Sequence, residues 1–97
     1  MTAYIIVEVE TTDEALMAEY RKHTPGLVAQ FGGKFIVRGG RARTLEGAWK
    51  PQRIVVLEFP DFATAERFYD STDYKPVLDM RLRAGNSRAI LVDGYDG

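Results

Sequence analysis

Cysteine is absent from the 97 residues. That excludes disulfides, thiolate metal ligands and a cysteine nucleophile, and leaves stability to packing or association. Histidine occurs once, and no pair of histidines or carboxylates at i, i+4 spacing is aimed inward from a helix, so no metal site is expected. Neither sign of charge prevails. The 13 Lys and Arg against 14 Asp and Glu leave a formal net charge of −1, which provides no field to attract a phosphate backbone or an anionic membrane. Nucleic acid and membrane are therefore not expected as partners. No apolar run approaches the ~20 residues needed to cross a bilayer. Met1-Thr2-Ala3-Tyr4 passes into Ile5-Ile6-Val7 without a basic stretch or a small-residue cleavage site, so a cytoplasmic location is expected. The chain also has no Gly-x-Ser-x-Gly elbow, phosphate loop or dinucleotide fingerprint, and no cofactor is expected.

What is present is the composition of an ordinary folded domain, with 45% hydrophobic and 28% charged residues. The length suits one domain over 1–97. From Ala3 to Glu10 the residues alternate, with Ile5, Val7 and Val9 on one side and Tyr4, Ile6, Glu8 and Glu10 on the other, which predicts a strand. Thr11 and Glu14 have the spacing of a capping box, so a helix is expected to start there. Leu16, Tyr20, His23, Leu27 and Phe31 form its expected inward stripe, and Pro25 predicts a kink or break.

Gly32-Gly33 ends the helix, and Lys34 to Arg38 reads as a strand. Gly39-Gly40 predicts a bulge or bend before the strand continues through Arg41 to Leu45. Glu46 to Gln52 has the glycine and proline of a hairpin loop, and Arg53 to Phe59 is rich in β-formers. Asp61 offers a cap to a helix over Phe62 to Asp70, and a short third helix with Pro76 in its first turn follows Ser71-Thr72-Asp73. Gly85-Asn86 is a stop, and Arg88 to Val92 is the last strand.

The order strand, helix, strand, strand, helix, strand is the ferredoxin-like βαββαβ pattern, an α+β fold with a four-stranded antiparallel sheet and its helices on one face. Sorting the strands by parity makes Ile5, Val7, Val9, Phe35, Val37, Val55, Leu57 and Phe59 the helix seat. The other face carries Tyr4, Ile6, Glu8, Ile36, Arg38, Ile54, Val56 and Glu58, too apolar for a solvated sheet. The expected partner is a second copy, forming a homodimer through the face carrying Glu8, Arg38 and Glu58, with ion pairs buried between the sheets.

Gly32-Gly33, Phe35-x-Val37-Arg38-Gly39-Gly40, Glu46-Gly47-x-Trp49-x-Pro51, Arg53, Glu58-Phe59-Pro60, Tyr69-Asp70-Ser71-x-x-Tyr74 and Arg81 occur in this order. On these motifs, from about Tyr4 to Gly94, the chain resembles the bacterial family catalogued as domain of unknown function 1330. The resemblance implies a dimeric α+β barrel, in which two ferredoxin-like subunits pair sheet to sheet. It implies no particular activity, because none is assigned to the family in general.

The residues that remain for chemistry are polar groups on otherwise apolar stripes: Tyr20 and His23 on the first helix, Tyr69 on the second, Tyr74 and Arg81 on the third. All are expected to face the gap between helices and sheet. Such a set permits cofactor-free acid/base work on a small molecule, with His23, Tyr69 and Tyr74 as catalytic candidates. Tyr20, Arg38, Arg81 and Trp49 are the substrate-binding candidates; Arg81 suits an anionic group. The same residues also have bland readings. Core tyrosines commonly pack with the hydroxyl bonded at the edge, an arginine can lie over apolar surface, and Trp49 can clamp its own loop. Two functions stay open on this evidence, a small cofactor-independent enzyme and a non-catalytic dimer that binds a metabolite.

Overall fold

The computed structural model describes residues 1–96. Its elements run β1 (Ala3–Thr11), α1 (Glu14–Gln30), β2 (Lys34–Arg38), β3 (Ile54–Phe59), α2 (Phe62–Asp70), α3 (Lys75–Ala84) and β4 (Gly85–Asp93). The strands form one antiparallel sheet in the order β2-β3-β1-β4. This is the ferredoxin-like arrangement, with β1 and β3 central.

The alternation of β1 is realised as burial. Ala3, Ile5, Val7 and Val9 are buried against the helices, while Tyr4, Ile6 and Glu8 between them are only partly covered. Cross-strand pairing carries the same division into the neighbours: Ile5 lies between Leu57 and Leu91, and Val7 between Val55 and Ala89. Above this surface the helices contribute Met17, Val28, Ala65, Phe68 and Val77, and the cap of α3 contributes Tyr74. Phe68 is the hub, with ring centroids 5.1 Å from Phe59, 5.8 Å from Phe31 and 4.4 Å from Tyr74. Offset and edge contacts of this kind add roughly 0.5–1.5 kcal/mol per pair beyond the area they bury.

Several local expectations change. Thr11 is still in β1, paired with Gly85, so it cannot cap α1. Asp13 does so instead, its carboxylate accepting from the Leu16 N–H at 3.1 Å. Pro25 does not break α1, which stays helical through Gln30. One residue earlier, the Thr24 hydroxyl donates to the Tyr20 carbonyl at 2.7 Å. The inward stripe is also rotated. Met17, Thr24 and Val28 are its buried members, and His23 lies outside it.

β2 departs most from the regular alternation of its sequence. Phe35 pairs with Leu57, but Val37, not Ile36, is opposite Val56, so a bulge falls at Ile36. The extra residue reverses the parity beyond it. Val37 therefore joins the outer face beside Val56, and Arg38 crosses to the helix side beside Val55. The guanidinium of Arg38 stacks over the Phe35 ring at 4.5 Å, as only residues on the same side can. The glycines placed the bulge too late, and the strand does not resume after them; residues 39–53 have no regular structure. Gly39 itself takes φ +71°, and a Cβ there would run into the Arg53 guanidinium.

With Arg38 gone, the outer face pairs its charges differently from expectation. Arg88 Nε donates to Glu8 Oε1 at 2.9 Å, and Lys34 Nζ lies 3.3 Å from Glu58 Oε2. Around them Ile36, Val37, Ile90 and Val92 stay exposed, Ile90 by 62%.

β4 follows α3 without a loop, and Gly85 is what allows it. A side chain there would collide with the backbone of Glu10 and Thr11 in β1. Gly85→Ala is expected to cost about 1–3 kcal/mol through that overlap. Thermal unfolding should show the midpoint lowered by about 4–8 °C for each kcal/mol in a domain of this size.

Candidate functional site

The bulge in β2, the N-terminal half of α1 and the end of α3 bound a cleft between helices and sheet. It is small: the space in it open to the centre of a water-sized sphere is about 40 Å³. The walls are apolar, from Val7, Val9, Met17, Phe35, Val55 and Leu57. Every ionisable group that lines it, apart from the hydroxyl of Tyr20, is an arginine: Arg21, Arg38, Arg53 and Arg81. Among the described residues no carboxylate faces it.

Each arginine arrives by a different route. Arg21 is one helical turn beyond Met17 and reaches Glu14 at 3.7 Å on the outer side. Arg38 is delivered by the bulge. Arg53 precedes β3 with the inward parity of Val55, and its carbonyl accepts from the Val9 N–H at 2.9 Å, which fixes the backbone there. Arg81 comes from α3, where the buried residues Val77, Arg81 and Ala84 recur at helical spacing.

Arg81 differs from the other three. It is only 3% exposed, and its Nε has no hydrogen-bond partner. No ion pair forms to it among the described residues. The Tyr20 ring lies beneath its guanidinium at 5.9 Å, near the outer limit of a cation–π contact. Tyr20 in turn shares a 2.8 Å hydrogen bond between hydroxyls with Tyr74, whose side chain is buried under the helices. Burial pushes the Tyr74 hydroxyl well above the ordinary tyrosine range; the nearby Tyr20 adds to this, and Arg81 acts against it. Tyr74 is thus a neutral hydroxyl at any working pH.

The other expected site residues lie elsewhere. His23 is half exposed on α1, with Nε2 3.4 Å from Glu19 Oε2, and does not reach the cleft. Its step of three from Tyr20 turns it away, because the helix seats Thr24 inward. Tyr69 packs its ring 5.8 Å from that of Tyr74 but opens on the opposite side, in a shallow hollow with Glu66, Asp70 and Ile90. Trp49 is 54% exposed, and its Nε1 donates to Glu8 Oε2 at 3.0 Å on the outer face of the sheet. It clamps its loop to β1. Together with Arg88, and after it in importance, this bond holds the Glu8 carboxyl below its ordinary range.

The structure therefore gathers Tyr20, Tyr74, Arg38 and Arg81, and separates His23, Tyr69 and Trp49 from them. Sequence reading passed over Arg53, Arg21 and Thr24. Arg53 had a usable signal, since it shares parity with Val55, Leu57 and Phe59 on the helix side. No group of three metal-ligating side chains comes together among the described residues. None of their helices is long and apolar enough to cross a membrane.

A family model described as "Domain of unknown function (DUF1330)" matches residues 2–95. The chain belongs to this family. No functionally curated protein matches it. Among solved structures it is similar to a protein of unknown function from Rhodopseudomonas palustris, with 16% identity and a TM-score of 0.77, over 99% of this chain and 84% of that one. A dimeric ferredoxin-like protein of unknown function from Jannaschia sp. CCS1 gives 18% identity and a TM-score of 0.72, over 97% of this chain and 100% of that one. A variant of SnoaB, a cofactor-independent oxygenase from Streptomyces nogalater, gives 12% identity and a TM-score of 0.63, over 99% and 95%. At such identities the likeness is one of fold.

Tyr74 yields a prediction about alkaline pH. Its folded pKa lies above the unfolded one, so the stability it contributes is complete below about pH 10 and falls as pH rises beyond that. Urea unfolding at pH 8 and pH 11 should show a drop in midpoint that is smaller in Tyr74→Phe than in the unmodified protein. An unchanged drop would show that the buried hydroxyl contributes nothing.

Proposed function

We propose that this protein receives a small molecule in the cleft beneath its helices and works as a homodimer joined through the outer face of its sheet. The observation that carries the first part is the coincidence of apolar walls with a few convergent polar groups, the usual composition of a small-molecule site. Tyr20 lines this cleft, whereas Tyr74 stands behind it. A pair of hydroxyls has two hydrogens and uses one between them. With Tyr74 donating to Tyr20, the Tyr20 hydrogen is left to point at a bound molecule, strengthened by the bond behind it.

That arrangement supports hydrogen-bond or proton donation to the ligand. It does not supply a base, since among the described residues no histidine or carboxylate lines the cleft. Binding is accordingly the function favoured, with proton donation by Tyr20 as the chemistry the site can add. The oxygenase neighbour shows that a protein of this fold can act without a cofactor; that is an analogy of fold. Of the catalytic candidates His23, Tyr69 and Tyr74, this reading keeps Tyr74, as the partner behind Tyr20, and gives the donor role to Tyr20.

The homodimer is supported by the exposed apolar side chains of the outer face and by the dimeric description of a neighbour of the same fold. A cytoplasmic location belongs to the same proposal.

Two measurements test these proposals. Sedimentation at micromolar concentration should give twice the 10.9 kDa chain mass, and Ile90→Glu, which puts a charge into the exposed apolar patch, should shift it to the single-chain mass while the helical circular dichroism persists. A folded species of single-chain mass in the unmodified protein would remove the dimer. For the cleft, thermal unfolding against a panel of small aromatic and aliphatic compounds should give stabilisation by at least one of them. Val55→Trp, which fills the cleft from its floor, should abolish that response. Stabilisation that survives Val55→Trp would place binding elsewhere.

A further inference from the structure

We propose that the molecule taken by the cleft is an organic carboxylate, anchored by Arg81 inside and drawn in by Arg38 and Arg53 at the mouth. This rests on the cleft being the binding site, and adds the class of ligand.

Arg81 is costly to bury. Removing a guanidinium from water carries a penalty of several kcal/mol unless an anion or a full set of acceptors replaces the solvent. Arg81 is 3% exposed and its Nε lacks any acceptor. It does not reach the surface, as an arginine merely draped over apolar residues does. Two features offset part of the cost. The guanidinium sits in the last turn of α3, where the helix dipole favours a cation, and it lies over the Tyr20 ring. Neither supplies an acceptor. Nε is closed off from solvent, so a molecule in the cleft meets the outer edge of the guanidinium, and what completes the site is an acceptor of negative charge placed there.

The surroundings narrow the class. Elsewhere among the described residues, Arg88, Lys34 and Arg83 lie against Glu8, Glu58 and Asp79, and the basic side chains without an ion pair, Arg41, Arg43, Lys50, Arg67 and Lys75, are exposed to water instead. In the cleft four arginines converge, and only Arg21 has an acidic neighbour, 3.7 Å away and outside. Arg38 and Arg53 are occupied with Phe35 and the Gly39 backbone bend, respectively, and neither forms an ion pair among the described residues. A single interior guanidinium edge, with the Tyr20 hydroxyl as a further donor, matches a planar carboxylate. The apolar walls from Val7 to Leu57 then cover a hydrocarbon or aromatic body.

The test compares linear and aromatic monocarboxylates, hexanoate and benzoate among them, with their primary amides, which keep the shape and remove the charge; phenyl phosphate is added as a second anion. Thermal unfolding and calorimetric titration are run on the unmodified chain and on Arg81→Met, Arg81→Lys and Val55→Trp. The carboxylates should stabilise the unmodified protein and their amides should not. Arg81→Met should leave the midpoint of the unliganded protein unchanged or raised, because it removes an unpaired buried charge, and should weaken carboxylate binding about ten- to a hundredfold. Arg81→Lys should fall between. If amides match acids while Val55→Trp abolishes both responses, the cleft binds without reading charge, and this proposal fails while the binding site stands. If Val55→Trp leaves the carboxylate response intact, both readings fail. Tighter binding of phenyl phosphate through Arg81, the absence of any response to carboxylates, or a large loss of unliganded stability in Arg81→Met would each overturn the assignment.

Discussion

Arg81 occupies a position that a protein interior ordinarily gives to leucine or methionine. It belongs to the buried stripe of α3, between Val77 and Ala84, and it is covered as fully as they are. A cation in that position is costly unless its neighbours suit it. The facing helix presents an aromatic ring, Tyr20, whose π-face tolerates positive charge. Tyr20 needs its hydroxyl held, and Tyr74 holds it from within the core. Tyr74 in turn packs on Phe68, the hub of the aromatic cluster between helices and sheet. The chain of contacts from the cleft to the centre of the core thus starts at one guanidinium.

The bulge at Ile36 acts on the same site from the sheet. In a regular strand, Phe35 and Arg38 would lie on opposite faces. One unpaired residue puts them together, turns the aliphatic Val37 outward and turns the cation inward. A single irregularity therefore changes both surfaces of the sheet at once: the outer face becomes more apolar and the cleft more basic. Bulges are known to re-aim side chains next to functional sites, and this one does so at the rim of the cleft.

These two features differ in how far they were legible beforehand. The strands and helices follow from strong local signals: the alternation of β1, the aspartate before Phe62, and Pro76 at the start of α3. Arg81 could be placed on an inward stripe from spacing alone, since a helix keeps its period. The bulge could not. Ile36 is a good strand residue with nothing in its side chain to mark an extra backbone unit, and the conspicuous glycines that follow it drew the irregularity to Gly39-Gly40. A regular alternation past Ile36 therefore puts Arg38 on the outer face and Val37 on the inner, the reverse of where they lie, whereas β3 keeps the parity its sequence predicts. His23 was misplaced for a different reason. A stripe drawn through Leu16, Tyr20 and Leu27 accepts either residue 23 or residue 24 as its next member, and the smaller Thr24, which can satisfy its hydroxyl on the Tyr20 carbonyl, is the one that fits inside.

The two faces of the sheet can also be told apart by how their polar groups are satisfied. On the outer face, Glu8 accepts from both Arg88 and Trp49, and Glu58 lies beside Lys34. The charges there are neutralised within the chain, so a surface packed on them has mainly to cover Ile36, Val37, Ile90 and Val92. That is what a second copy of the same face can do, because apolar surface is self-complementary where unpaired like charges are not. Under the helices the situation is reversed. The apolar groups are already walled in, and what is missing is an acceptor for Arg81. Another protein surface could not reach it, since the cleft lies between α1, α3 and the sheet. A small molecule could. The face that lacks hydrophobic cover and the cleft that lacks negative charge thus call for different occupants, and the backbone of β2 separates them by one residue.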